Sequence, residues 1–234
     1  MPSVFAGIAR ARRGRTPWLT LVAAVGPPAF ALAVVVASLV RPGYDQLSSA
    51  ISRLGFGENA IVLNVGFLAL GAATFSLGAV LRGRVSGRGP AALALAGTST
   101  AGMGALWTAW VLPLVLGGAS LPAREPALVG RLHDVLAVTS YLATIVGCLA
   151  VGRALAADRS AALYAPYSLA TGVAAGAIFA FGILDLYAFG EASPLAALRP
   201  WRGLLQRILT ALLLLWIEVS AWRVARMSET ARSL

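Results

Sequence analysis

The chain has 234 residues, of which 59% are apolar and only 12% charged, and its mean hydropathy is +0.80. Charge this sparse, about half that of soluble domains, excludes a soluble globular protein of this size, which needs far more polar surface to cover itself. The net charge of +10 is carried by arginine alone, and its position between long apolar runs reads as membrane topology rather than a nucleic-acid footprint.

In chain order, residues 1–17 form a basic arm with Arg10, Arg12, Arg13 and Arg15. Residues 18–40 are the first apolar run. At about 23 residues it exceeds the roughly 7–15 of a signal-peptide core and is expected to be a retained span, kinked at Pro27-Pro28. Residues 41–59 begin with RPGYDQLSSAISRLG, the densest cluster of reactive side-chain types in the chain. The second span is 60–81, with Asn64 near its start, and Arg82, Arg84 and Arg88 form a basic turn after it. The third span, 91–116, carries the small-residue segment AGTSTAGMGA followed by Trp107 and Trp110. A proline-containing loop, 117–131, leads to the fourth span, 132–151, which opens with His133-Asp134. The fifth, 163–186, holds Gly172 and Gly176 and ends near Asp185, and the sixth, 203–222, holds Gln206, Arg207 and Glu218. The predicted fold is therefore an all-α bundle of six transmembrane helices, 18–222, with an amphipathic segment between helices 1 and 2 on the outer side, a basic arm at 1–17 and a tail at 223–234.

Six spans place both termini on one side. That side carries twelve arginines and three acids, and the other seven arginines and six acids. The positive-inside bias puts both termini in the cytoplasm of a cell whose plasma (inner) membrane the chain crosses. Small residues on spans three and five are expected to let helices approach closely, because van der Waals contact drives association in lipid. The single Cys148 cannot form an intrachain disulfide.

Asp45, Ser48 and Ser52 are spaced i, i+3, i+7 and would share one face of a helix, with Leu47, Ile51 and Leu54 on a second. The segment is expected to be a short interfacial helix or an outward extension of span two. Its hydroxyls can equally face water or cap backbone. His133 is the only histidine, which argues against a metal site built on several histidines, and no metal or cofactor is expected. It can serve as a base, or as a structural hydrogen-bonding group. An acid at a helix N-terminus is favoured by the dipole, so Asp134 needs no function. Asp185 lies at a helix C-terminus, where the dipole opposes it, and needs a partner such as Arg207, Arg202 or His133. These residues, with Asn64 and Gln206, fall near the outer ends of spans.

RPGYDQLSSAISRLG, the Asn64-containing start of span two, His133 and GLLQRI (Gly203 to Ile208) together resemble the Domain of Unknown Function 998 family of prokaryotic integral membrane proteins. Two positions depart from the family pattern: Arg53, where an acid is more usual, and Gln206-Arg207, where Glu-Arg is. The resemblance implies a membrane protein of about six helices and brings no activity with it.

Three functions are then weighed. The first is a site at the outer leaflet that binds membrane lipid or a membrane partner, using Asp45, Asn64, Gln206, Arg207 and Arg202. The second is an intramembrane lipid hydrolase or transferase with Ser48 or Ser52 as nucleophile, His133 as base and Asp185 or Asp45 as its orienter. The third is a small transporter, for which Asn64, Asp185 and Glu218 are the only intramembrane polar candidates. The oligomeric state is not legible.

Overall fold

The structure is a computed structural model and describes residues 4–55, 60–85, 87–118, 126–156, 163–184 and 192–230, with no account of the side chains of 4–16, 115, 184 and 227–230. Among these residues every regular element is helical. Six long helices follow in order: α1 (Val4–Val40), α2 (Ala60–Leu81), α3 (Gly89–Leu116), α4 (Ala127–Leu155), α5 (Tyr164–Ala177) and α6 (Arg202–Thr230). A π-helical stretch, Ile178–Leu184, extends α5, and two short 3-10 segments occupy Ile51–Gly55 and Ala196–Trp201.

The exterior of the bundle is apolar. Leu32, Val65, Leu95, Val135, Val173 and Leu215 are all exposed, one on each long helix. Their burial needs a surrounding phase that is itself apolar. Five segments are long and apolar enough to cross a membrane: Pro17–Val40, Ala60–Leu81, Ala127–Leu155, Tyr164–Ile183 and Ala196–Arg226. The sequence reading counted six; α3 is not among the five. Its 28 residues reach about 42 Å at 1.5 Å per residue.

Each long helix packs on its neighbour in sequence, and α6 closes the bundle against α1 while also touching α2, α4 and α5. Small residues set the spacing where the sequence led one to expect it. A Cβ built on Gly71 of α2 would lie 2.7 Å from the carbonyl oxygen of Gly97 in α3, so the two backbones meet with no side chain between them. Gly172 of α5 similarly faces Leu149 and Cys148 of α4. The buried thiol of Cys148 is free.

Two contacts define the ends of the bundle. Arg84, in the turn after α2, donates to the carbonyl of Val224 near the end of α6 at 3.2 Å. At the opposite end, the 41–55 segment lies against the first turns of α6, where the amide of Leu204 donates to the carbonyl of Leu47 at 2.9 Å. The two contacts lie at opposite ends of α6.

Candidate functional site

The 41–55 segment leaves α1 at Pro42-Gly43, with Gly43 at a positive φ of 68°, the left-handed conformation glycine adopts without strain. It does not form one helix across Asp45 to Leu54. Residues 46–48 are turns, and the 3-10 segment begins only at Ile51. This breaks the helical phase that would have put Asp45, Ser48 and Ser52 in one row. Ser48 instead donates to Asp45 Oδ2 at 2.5 Å, and Asp45 Oδ1 accepts the amide of Leu47 at 2.9 Å. Those bonds, led by that of Ser48, hold the exposed Asp45 carboxyl below the usual range. Ser52, one residue into the 3-10 turn, points into the bundle.

The segment is held there by α6. Arg202 Nε donates to the carbonyl of Ser48 at 2.8 Å. Arg207 Nη1 donates to the carbonyls of Ser49 and Gly203 at 3.0 Å each, and Nη2 to the hydroxyl of Tyr44 at 2.6 Å. The Tyr44 hydroxyl lies 2.9 Å from the carbonyl oxygen of Ala50 and 3.2 Å from that of Ser49. Burial pushes its ionisation up, against the opposing effect of Arg207. Gln206 Oε1 accepts the amide of Ile51 at 2.8 Å, and Arg41 donates to the carbonyl of Arg53. Gly203 makes the approach possible, since a Cβ there would meet the carbonyl oxygens of Ser49, Leu47 and Gln46 at 2.5–2.8 Å. Ile51 and Leu54 are buried with Phe30, Leu63, Phe67, Met103 and Trp107. The segment is a plug: apolar below, and bound by its carbonyls to the arginines of α6.

Beneath the plug lies a cavity of about 60 Å³, lined from all long helices but α5. About 10–15 Å³ of such space holds one water, so there is room for several waters or a short stretch of chain. Along α6 it runs from Gln206 to Ile217, about 16 Å. Its lining includes many hydroxyls, but most are turned to partners in the wall. Thr74 donates to Leu70, Thr100 to Ala96 and Thr144 to Ser140. Thr100 and Ser140 share a hydrogen bond at 2.6 Å, and Tyr141 and Thr210 one at 3.0 Å. The deep part of the cavity is therefore mostly apolar in effect, with Leu70, Met103, Leu213 and Ile217 among its walls.

Its upper end is different. His133 is 5% exposed, stacks on Trp107 with ring centroids 4.2 Å apart at 10°, and meets the edge of Phe67 at 6.3 Å. Its Nδ1 has no hydrogen-bond partner among the described residues. Ser52 and Gln206 line the same end. Sequence neighbours on α4 separate as helical geometry requires, with His133 buried and Asp134 exposed.

Of the predicted residues, Ser52, His133 and Gln206 thus come together at one cavity. Ser48 and Asp45 pair with each other on the exposed side of the plug. Arg202 and Arg207 bind the plug's backbone. Asn64 is fully buried on α2, and both polar atoms of its amide lack a hydrogen-bond partner among the described residues; it is not part of the cavity wall. Asp185 lies outside the described residues. Glu218, near the other end of α6, accepts a hydrogen bond from Trp222 at 2.7 Å. Among the described residues, no group of three or more His, Cys, Asp or Glu is placed to hold a metal ion. Sequence reasoning missed Trp107, which supports the histidine ring, and Gly203, which lets α6 reach the plug. A glycine opening an apolar helix three residues before Gln-Arg is the signal that could have pointed to the latter.

A helical bundle with an apolar exterior and several helices able to cross a bilayer defines a multi-pass membrane-type helical protein. The chain belongs to the family described as Protein of unknown function (DUF998), which matches residues 24–223. No curated protein and no solved structure matches it.

Proposed function

We propose that this protein binds a membrane amphiphile, a lipid, in the cavity beneath the 41–55 plug. The observation that carries the reading is a cavity with a mostly self-satisfied, apolar lower wall and one polar end lined by Ser52, His133 and Gln206, beside which His133 Nδ1 is buried with no partner among the described residues. An unpaired buried acceptor or donor costs about 1–3 kcal/mol, and a ligand hydroxyl, ester or amide placed there relieves that cost. Ser52 and the amide nitrogen of Gln206 stand at the same end to complete a polar head site, while the chain of the ligand enters between Leu70, Met103 and Leu213. In this reading all six helices cross the plasma membrane, α3 included, because Leu95, Leu112 and Leu116 give it the same apolar exterior. The excess of arginine on the terminal side, twelve against seven, supports cytoplasmic termini and a plug at the outer leaflet. Arg202 and Arg207 then serve to fix the plug rather than to hold a headgroup.

The test is lipid extraction from the purified chain followed by mass spectrometry, comparing the natural sequence with His133→Phe and Ser52→Leu. A lipid species that co-purifies with the former and is depleted in both variants supports the reading. Identical lipid content in all three would remove it.

A second reading, an intramembrane lipid hydrolase or transferase, draws on the fact that Ser52 and His133 line one cavity. Ser52 would attack an ester carbonyl with His133 taking its proton; the ester C–O bond breaks, the leaving alcohol receives that proton, and water or a second alcohol then takes the acyl group from Ser52. Covalent labelling of Ser52 by a fluorophosphonate, lost in His133→Ala, is the result that would favour it.

A further inference from the structure

A second concavity lies at the opposite end of the bundle, between the start of α5 and the end of α6. It is an open groove of about 460 Å³ lined by Leu163, Tyr164, Tyr167, Val219, Trp222, Arg223 and Arg226. The helices run antiparallel here, so the groove has a direction. Val219 and Tyr167 lie toward the middle of the bundle, and Arg226 is outermost, about 10 Å further along α6.

Three features fix its environment. Tyr164, Tyr167 and Trp222 are the residue types that collect at the level of lipid headgroups, and Trp222 is exposed. The apolar run of α6 ends at Trp222, so Arg223 and Arg226 follow directly after it, where hydrocarbon gives way to water. This is also the arginine-rich end of the chain, where Arg82, Arg84, Arg88 and Arg153 lie as well. Within the groove the Arg223 guanidinium is placed over the ring of Tyr164, 5.1 Å from its centroid. The Tyr164 hydroxyl bonds Ser220 at 2.6 Å, so the ring beneath the guanidinium is itself held fixed.

We propose that this groove binds the phosphate of an anionic membrane lipid. Arg223 and Arg226, one turn apart on α6, supply the positive charge, and the acyl chain descends past Tyr167 and Val219. Basic pockets between membrane helices at an arginine-rich face suit phosphate-bearing headgroups, and guanidinium offers a phosphate two parallel donors. This site is separate from the cavity beneath the plug and stands or falls independently of it.

The experiment is native mass spectrometry on the full chain in mild detergent, titrated with phosphatidylglycerol, with phosphatidylcholine, and with inorganic phosphate. Phosphatidylglycerol should be retained in preference to phosphatidylcholine. Its retention should fall roughly tenfold in Arg223→Gln/Arg226→Gln and stay unchanged in Arg199→Gln at the other end. Val219→Phe, which fills the groove and leaves both arginines in place, should lower retention as well, and so provides the decisive variant if the double substitution does not fold. Equal retention of the two lipids, or no effect of Val219→Phe in a folded protein, would overturn the proposal. So would inorganic phosphate displacing the lipid, since the site would then recognise the free anion.

Discussion

The side-chain oxygen of Gln206, in the first turn of α6, accepts the backbone amide of Ile51 at 2.8 Å across 155 positions of chain. This bond ties the last long helix to the start of the 3-10 segment that roofs the cavity. The position needs an acceptor, which a Glu carboxylate would supply as well as the Gln amide.

Gln206→Leu leaves the Ile51 amide without its acceptor in a partly buried setting, and should destabilise the protein by about 1–3 kcal/mol. Gln206→Glu keeps the acceptor and should melt close to the natural sequence. Thermal unfolding in detergent, followed by circular dichroism, separates the two. Equal loss in both would mean that the hydrogen bond is not what holds the plug.

Gly203→Ala tests the close approach. The added Cβ would fall 2.5 Å from the carbonyl oxygen of Ser49 and 2.7 Å from that of Leu47. The plug must then move away from α6, weakening the Leu204 to Leu47 and Arg207 to Ser49 bonds together. The expected cost is about 1–3 kcal/mol. Faster maleimide labelling of a Ser52→Cys background on adding Gly203→Ala would show the plug lifting; an unchanged rate would count against the geometry.

His133→Phe separates ligand binding from stability. The phenyl ring can keep the stack on Trp107 while removing the unpartnered Nδ1. In the absence of ligand the variant should be as stable as the natural sequence or more so, by up to about 1–3 kcal/mol, while co-purifying lipid falls. His133→Ala leaves a void beside Trp107 and should lower the melting temperature. If His133→Phe were the less stable of the two, the ring would owe its place to a polar contact rather than to stacking.

Asp45 gives a pH signature. Its hydrogen bonds from Ser48 and the Leu47 amide lower its ionisation in the folded state relative to the ordinary value of 3.8. Between that lowered value and 3.8 the unfolded chain binds more protons, so stability rises with pH there. The contribution is fully present above the ordinary value and is lost as pH falls through the folded one. Melting temperature measured from pH 3 to 6 should slope upward at the acid end, and Asp45→Asn should flatten that slope. A slope untouched by the substitution would place its origin in another carboxylate.

The membrane character of the chain was legible because apolar length is a local property: runs of about 20 residues declare themselves without reference to the rest of the fold. The close helix contacts at Gly97 and Gly172 were legible for a similar reason, since small residues in apolar helices have few other uses. The motif at 41–55 also stood out, as a polar cluster between two such runs. What a local reading could not give was its backbone. A helical phase over Asp45, Ser48 and Ser52 would have put the three on one face, whereas the turns at 46–48 leave Asp45 and Ser48 outside and turn Ser52 inward. That difference is set by Gly203, Gln206 and Arg207, some 150 positions away, which take up the segment's carbonyls and the Ile51 amide.

The sequence by itself therefore determined the phase in which the chain dissolves, its helices and the arginine asymmetry of its two ends. Only the tertiary structure decided which polar groups are already satisfied. Thr74, Thr100 and Thr144 bond their own helices, Arg207 bonds the plug, and His133 Nδ1 is buried without a partner among the described residues, beside a largely apolar cavity. Hydrogen bonds saturate and depend on direction, so whether a polar side chain is available to a ligand follows from its neighbours in space and not from its own chemistry.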